Sequence, residues 1–197
     1  MPIPGNGMDL DFLTSNPGKI AEARGIFEPL GIRVRPVRRV LPEPQADDLE
    51  TVVRAKLAAV PPNGRYQLVE DSGLFLDGLG GFPGVYSAYI YRIWKFEEIL
   101  ELLRDRPRTA VFRTVAGLQK GRRRRLFVGE CRGSISRAPR GTRGFGFDPI
   151  FVPTGSRRTF AELAPAEKWA ISHRGRALRA VGQYLLTKER KRVDRPP

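Results

Sequence analysis

The chain has 197 residues, 41% of them hydrophobic: enough for one sizeable domain or two small lobes, and too apolar for a disordered chain. A single cysteine, Cys131, excludes an internal disulfide framework and a cysteine-built zinc site, and no run approaches the roughly 20 apolar residues of a membrane span. The net charge of +14 points to a polyanionic partner or an anionic substrate, although scattered arginines from a general compositional bias give the same figure.

Met1 to Gly7 has neither the charged start nor the apolar centre of a signal peptide, and a reducing cytoplasm is the expected setting. Asp9 to Leu13 reads as a first strand, broken by Thr14-Ser15-Asn16-Pro17-Gly18-Lys19. Ile20 to Leu30 has helical spacing, with Ile20, Ala23 and Phe27 on one face and Gly31 as the stop. Strand, polar glycine-containing turn and helix can cradle a phosphate, with backbone N–H groups and the helix dipole aimed at the anion and Lys19 adding a point charge. The turn lacks the longer spacing of a P-loop, and the same residues also suit a plain turn.

Ile32 to Val40 reads as a strand that becomes irregular. Two prolines in Leu41-Pro42-Glu43-Pro44 put Glu43 on a loop. Asp47 and Asp48 open a helix to about Val60, whose buried stripe is Leu49, Val53, Leu57 and Val60; Lys56 lies off that stripe, within reach of a neighbouring site. After the Pro61–Gly64 turn comes a short apolar strand leading into Glu70-Asp71-Ser72-Gly73. Carboxylates at a strand end can hold a hard cation or take a proton from an attacking water, and Gly73 suits a sharp turn or a close ligand approach. An acidic surface turn has the same composition.

Four glycines between Asp77 and Ser87 demand special backbone angles, as for a rigid turn beside those carboxylates. Trp94 to Leu103 reads as helix with Ile99, Leu102 and Leu103 inward. Thr109–Leu118 and Leu126–Ser136 form an antiparallel hairpin around a solvated arginine tip, Arg122 to Arg125, with Cys131 as a small buried hydrophobe. Gly141 to Asp148 is a glycine and aromatic loop, suited either to stacking on a nucleobase or to a core corner. Pro149 to Val152 is a short strand. A final helix begins near Lys168 or Ser172 and runs to about Lys188, with Ile171, Leu178, Val181 and Leu185 inward and the single histidine, His173, near its start. No repeat or linker interrupts the chain, so one domain is expected over 1–190, with 191–197 a frayed basic tail.

Five segments in this order resemble the Ham1-like inosine/xanthosine triphosphate pyrophosphatases: Thr14 to Lys19, Glu70 to Leu74, Leu79 to Ser87, Gly144 to Pro149, and Glu167-Lys168 with Ile171-Ser172-His173-Arg174. The resemblance implies an α/β fold: an elongated mixed β-sheet with flanking helices in two lobes, an active-site cleft between them, and a homodimer. It implies Mg2+-dependent hydrolysis of inosine, deoxyinosine and xanthosine triphosphates to the monophosphate and pyrophosphate, which clears damaged purines from the nucleotide pool. One Mg2+ per subunit would sit on Glu43 and Asp71, with Asp71 also the proton acceptor and Glu70 a further acid nearby. Thr14, Ser15, Asn16, Pro17, Gly18 and Lys19 would hold the triphosphate, and Lys56 and Ser72 would touch the nucleotide. Phe145, Gly146, Phe147 and Asp148 would form the base pocket, closed by Lys168, His173 and Arg174.

The chain departs from the family pattern at two places. Ala88 and Tyr89 follow the Tyr-Ser pair where many relatives have a basic residue, leaving Arg92, one helical turn on, as the candidate replacement. Trp169 follows Lys168 where asparagine is frequent. Alternatives are a Maf-type nucleotide pyrophosphatase of other base preference, against which the Thr14–Lys19 turn argues, and a basic nucleic-acid-binding protein. Neither a membrane nor nucleic acid is required by the enzyme reading.

Overall fold

The computed structural model describes residues 8–193, with only the backbone described for 190–193. One mixed seven-stranded sheet runs through it. The strands are β1 (Met8–Leu13), β2 (Ile32–Val37), β3 (Tyr66–Leu76), β4 (Pro83–Gly84), β5 (Thr109–Lys120), β6 (Arg123–Ile135) and β7 (Phe151–Pro153). Their order is β2-β1-β3-β5-β6-β7, with β4 on the free edge of β3. β1 is parallel to β2 and β3, and every other pairing is antiparallel. The helices are α1 (Pro17–Phe27), α2 (Leu49–Ala58), α3 (Ser87–Ile93), α4 (Phe96–Leu102), α5 (Pro165–Ile171) and α6 (His173–Val193). Among the described residues no helix is long and apolar enough to cross a membrane.

The core falls into two halves. In one, α1 and α6 cover one face of β1, β2 and the start of β3 through Phe27, Leu178 and Val181, while α2 covers the other face with Leu49, Val53 and Leu57. The other half gathers Leu74, Leu76, Ile90, Ile99, Phe112, Phe147, Phe151 and Phe160 around the far ends of β3, β5 and β6. These are the two expected lobes. Between them β3 lacks one neighbour: β1 pairs it only as far as Leu68, and β4 resumes at Leu74. Residues 69–73 therefore keep β5 on one side and a gap on the other. Ligands in open α/β sheets bind in crevices of this kind, beyond the carboxyl ends of strands.

Several expectations change. Glu70 to Gly73 is neither a turn nor a strand end but the middle of an eleven-residue strand. Gly73 serves the close approach of β4, since a Cβ there would lie 2.3 Å from the Gly84 carbonyl oxygen. α1 starts three residues before the expected Ile20, because the Asn16 side chain accepts the Lys19 amide at 3.1 Å and Pro17 occupies the first turn. Ile20 is half-buried, and Glu22 and Ile26 lie on the covered face instead. β2 ends at Val37, short of Val40.

The expected helix 94–103 is α4 alone, with Leu102 exposed; α3 before it, rich in tyrosine and isoleucine, does not read as a helix. The hairpin turn is only Gly121 and Arg122, so Arg123 to Arg125 belong to β6 yet stay exposed as expected. Cys131 is buried as expected. The last helix is broken at Ser172, whose hydroxyl accepts the Gly175 amide at 3.0 Å and starts α6 afresh. α6 continues to Val193; residues 194–197 of the expected tail lie outside the described residues.

Candidate active site

Successive residues on a strand face opposite sides. Glu70 and Asp71 sit side by side on β3 at the gap and so serve two different neighbourhoods. Glu70 and Ser72 face α1 and α6, whereas Asp71 meets Lys56 of α2.

The Glu70 carboxylate is enclosed. It pairs with Lys19 and, at 3.2 Å, with Arg174 Nε. Arg174 also donates to Glu22 at 2.8 Å and to the Ser72 hydroxyl at 3.0 Å. Lys168 bridges Glu22 at 2.5 Å and Asp148 at 2.6 Å, and Asp148 accepts the Phe145 amide at 2.8 Å. Ser72 completes the chain to Thr114 at 2.6 Å. Burial alone would raise the Glu70 carboxyl, but Lys19 and Arg174 hold it well below the ordinary carboxylate range. The Arg174 guanidinium, between two carboxylates, is pushed up. Paired in this way, five charged side chains that rarely survive burial alone are tolerated in the interior.

The Asp71 side is open. Glu43, on its proline-flanked loop, lies 3.0 Å from the Lys56 ammonium, and Asp71 lies 3.4 Å from the same nitrogen. Glu43 is 70% exposed as a side chain and Lys56 6%. Glu43 and Asp71, expected to share a cation, thus both flank the Lys56 ammonium. Burial raises the Asp71 carboxyl; Lys56 and Lys19 pull it back and the Glu70 and Glu43 charges push it further up. Among the described residues no cluster of three or more histidine, cysteine or acidic side chains gathers in metal-binding geometry. Glu70, the further acid expected beside the metal, is committed to Lys19 and Arg174 instead.

Two clefts meet here. One, of about 330 Å³, is lined by Asn16, Lys19, Ser72, Phe145, His173 and Arg174. The other, of about 580 Å³, is lined by Glu43, Gln45, Val52, Tyr86 and Tyr89. Asp71, Ala88 and Arg92 line both. The Thr14–Lys19 turn thus stands beside the carboxylate pair, Lys19 in the first turn of α1 and Thr14 Oγ1 accepting the Asn16 amide at 3.2 Å. Gly18 is needed there, because a Cβ would come within 2.4 Å of the Phe145 ring.

The aromatic loop divides. Phe147 is a core residue, edge-on to Tyr91 at 5.6 Å, although it touches the cleft. The half-buried Phe145 has Lys168 and Arg174 5.0 and 5.2 Å from its ring centre. His173 stacks flat on Phe112 at 4.4 Å, and its Nδ1 has no hydrogen-bond partner among the described residues. Burial, then Arg174 and Lys168, keep this imidazole neutral. Lys168 is buried beneath the pocket and reaches it through Asp148.

Sequence reasoning missed Glu22, Thr114 and Phe112. Glu22 had a readable signal: it lies one turn from Lys19 and one from Ile26 on a face that packs inward, and an acid there requires a buried cation. Thr114 and Phe112 carried none, since strand register alone brings β5 opposite Ser72 and Leu74.

A sequence model described as the Ham1 family matches residues 10–184. A dITP/XTP pyrophosphatase of Thermococcus kodakarensis is 50% identical over 181 residues, covering 90% of this chain and 97% of the relative. One of Pyrococcus horikoshii is 43% identical over 182 residues, covering 90% and 97%. Among solved structures, a HAM1 protein from Coxiella burnetii superposes with a TM-score of 0.78 at 32% identity, covering 91% of this chain and 99% of that one.

Proposed function

The chain belongs to the Ham1 family, and from that premise we propose that it hydrolyses non-canonical purine nucleoside triphosphates, such as those of deoxyinosine, inosine and xanthosine, to the monophosphate and pyrophosphate. The observation that carries the reading is that Glu43 and Asp71 flank one ammonium, with Asp71 sharing a cleft with the Lys19 turn. The names of the relatives, dITP/XTP pyrophosphatases, support the substrate class.

The donor set fits a divalent ion. Two carboxylates, one of them largely exposed, already flank an ammonium, and Mg2+ typically takes one or two carboxylates together with waters and substrate phosphates. We propose Glu43 and Asp71 as its ligands, one ion per subunit; when bound it would neutralise phosphate charge and acidify water. The chain's own groups do the rest. Asp71 accepts the proton of the attacking water, whose oxygen bonds to the α-phosphorus while the bond to the bridging oxygen breaks. Pyrophosphate leaves with the electron pair. The amides of Ser15 and Gly18 in the turn and the Lys19 ammonium hold the phosphates.

Base choice falls to the Phe145 side. Arg174 has five N–H donors and commits three of them, to Glu70, Glu22 and Ser72. Two remain for a 6-oxo group, and an adenine 6-amino group there would leave them unpaired in a buried site, which is heavily penalised. Ser72 holds Arg174, Asp148 and Lys168 hold Phe145, and the neutral His173 packs beside them on Phe112. Clearing damaged purines as a cytoplasmic homodimer completes the proposal, and light scattering of the purified protein tests the dimer. The deciding experiment is pyrophosphate release with Mg2+ from deoxyinosine, inosine, xanthosine, adenosine and guanosine triphosphates. The expected result is a strong preference for the first three; equal rates on all five reject the assignment.

A further inference from the structure

We propose that Arg92 is the residue that grips the distal phosphates of the substrate, where the two clefts join. The inference rests on the pyrophosphatase reading above and adds a residue to it. Four cations, Lys19, Lys56, Lys168 and Arg174, are locked to five carboxylates, Glu22, Glu43, Glu70, Asp71 and Asp148. That core carries a net charge of −1, and even with a divalent ion held on Glu43 and Asp71 it would fall well short of the about four negative charges of a triphosphate. Further positive charge must come from elsewhere.

Of the cations lining the two clefts, Lys19, Arg174 and Arg92, only Arg92 has no acidic partner within ion-pair distance among the described residues. Its guanidinium lies 5.7 Å from the centre of the Tyr89 ring, in the last turn of α3. Its charge reaches Glu43, whose carboxyl it helps to lower behind the larger effect of Lys56 and against burial. It is exposed. Ala88, one helical turn before it, lines the same junction with only a methyl group and leaves the passage open.

A nucleotide whose base lies by Phe145 and whose anhydride lies at Asp71 sends its outer phosphates past Ala88 toward Glu43, under Arg92. The planar guanidinium offers paired donors to two phosphate oxygens, which a lysine ammonium does not.

Binding of inosine mono- and triphosphate to the wild type, Arg92→Ala and Arg92→Lys, measured calorimetrically with a chelator present so that nothing turns over, tests this. Arg92→Ala should weaken triphosphate binding about 10- to 100-fold, as expected for a lost charge-assisted contact, and leave monophosphate binding unchanged. Arg92→Lys should recover part of the loss. Unchanged triphosphate affinity in Arg92→Ala, or an equal loss for both ligands, overturns the proposal. Parallel turnover assays separate the two readings: wild-type hydrolysis with an indifferent Arg92→Ala sinks only the role of Arg92. A wild type that neither hydrolyses the triphosphate nor binds it better than the monophosphate sinks both.

Discussion

Glu70 and Asp71 are neighbours on β3, carry the same functional group, and end in opposite circumstances. Glu70 points into a closed network, and two cations hold its carboxyl below its ordinary range. Asp71 points toward two clefts, shares one ammonium with Glu43, and its carboxyl is raised. A group already saturated by its surroundings is structural, whereas one that is desolvated and only partly compensated is available for chemistry. A one-residue step along a strand, which turns a side chain to the other face, makes that difference.

The largest effect should come from Asp71→Asn. Turnover is expected to fall by about 10²–10⁴-fold, the range for losing a general base, with more if a bound cation is lost too. Its melting temperature should match or exceed that of the wild type, because an amide carries no charge to desolvate. Near-wild-type turnover would erase the contrast between the two acids.

Glu70→Gln should act mainly on the fold. Breaking one partner of a buried ion pair costs about 3–5 kcal/mol, and here both Lys19 and Arg174 lose their carboxylate. Chemical denaturation measures it; a loss below about 1 kcal/mol would mean that the closed network contributes little.

Acid sharpens the same comparison. Because the folded-state carboxyls of Glu70 and Glu22 lie below their ordinary value of 4.5, the stability they contribute is full above that value. It drains away as pH falls toward the folded-state values, since the unfolded chain takes up protons first. Asp71, being raised, has the opposite sign and loses a small penalty on protonation. Melting curves between neutral pH and about pH 3 should fall steeply for the wild type and less steeply for Glu70→Gln; parallel curves would reject the assignment of that acid sensitivity to Glu70. The smallest effect is expected at the hairpin tip: Arg122→Ala and Arg123→Ala, both exposed, should change stability by less than about 0.5 kcal/mol, and leave triphosphate turnover intact.

The sequence by itself determined most of the element list and the residue types of the site. Apolar periodicity marks β1, α2 and the β5–β6 hairpin, prolines put Glu43 on a loop, and the position of Lys56 off its helix stripe leaves it able to reach a neighbour, as it does at Glu43 and Asp71. These signals are local, so a window of a dozen residues carries them. Local signals failed where tertiary contacts dominate: α3, dense in tyrosine and isoleucine, is a helix because it packs Ile90 against the far-lobe core. Only the folded structure decided which acid is open. Glu70 is closed by Lys19 and Arg174, one of them 104 positions away, and the gap in β3 exists because β1 stops pairing at Leu68 before β4 begins. Burial, charge pairing and cleft access are properties of distant groups brought together, and no stretch of chain contains them.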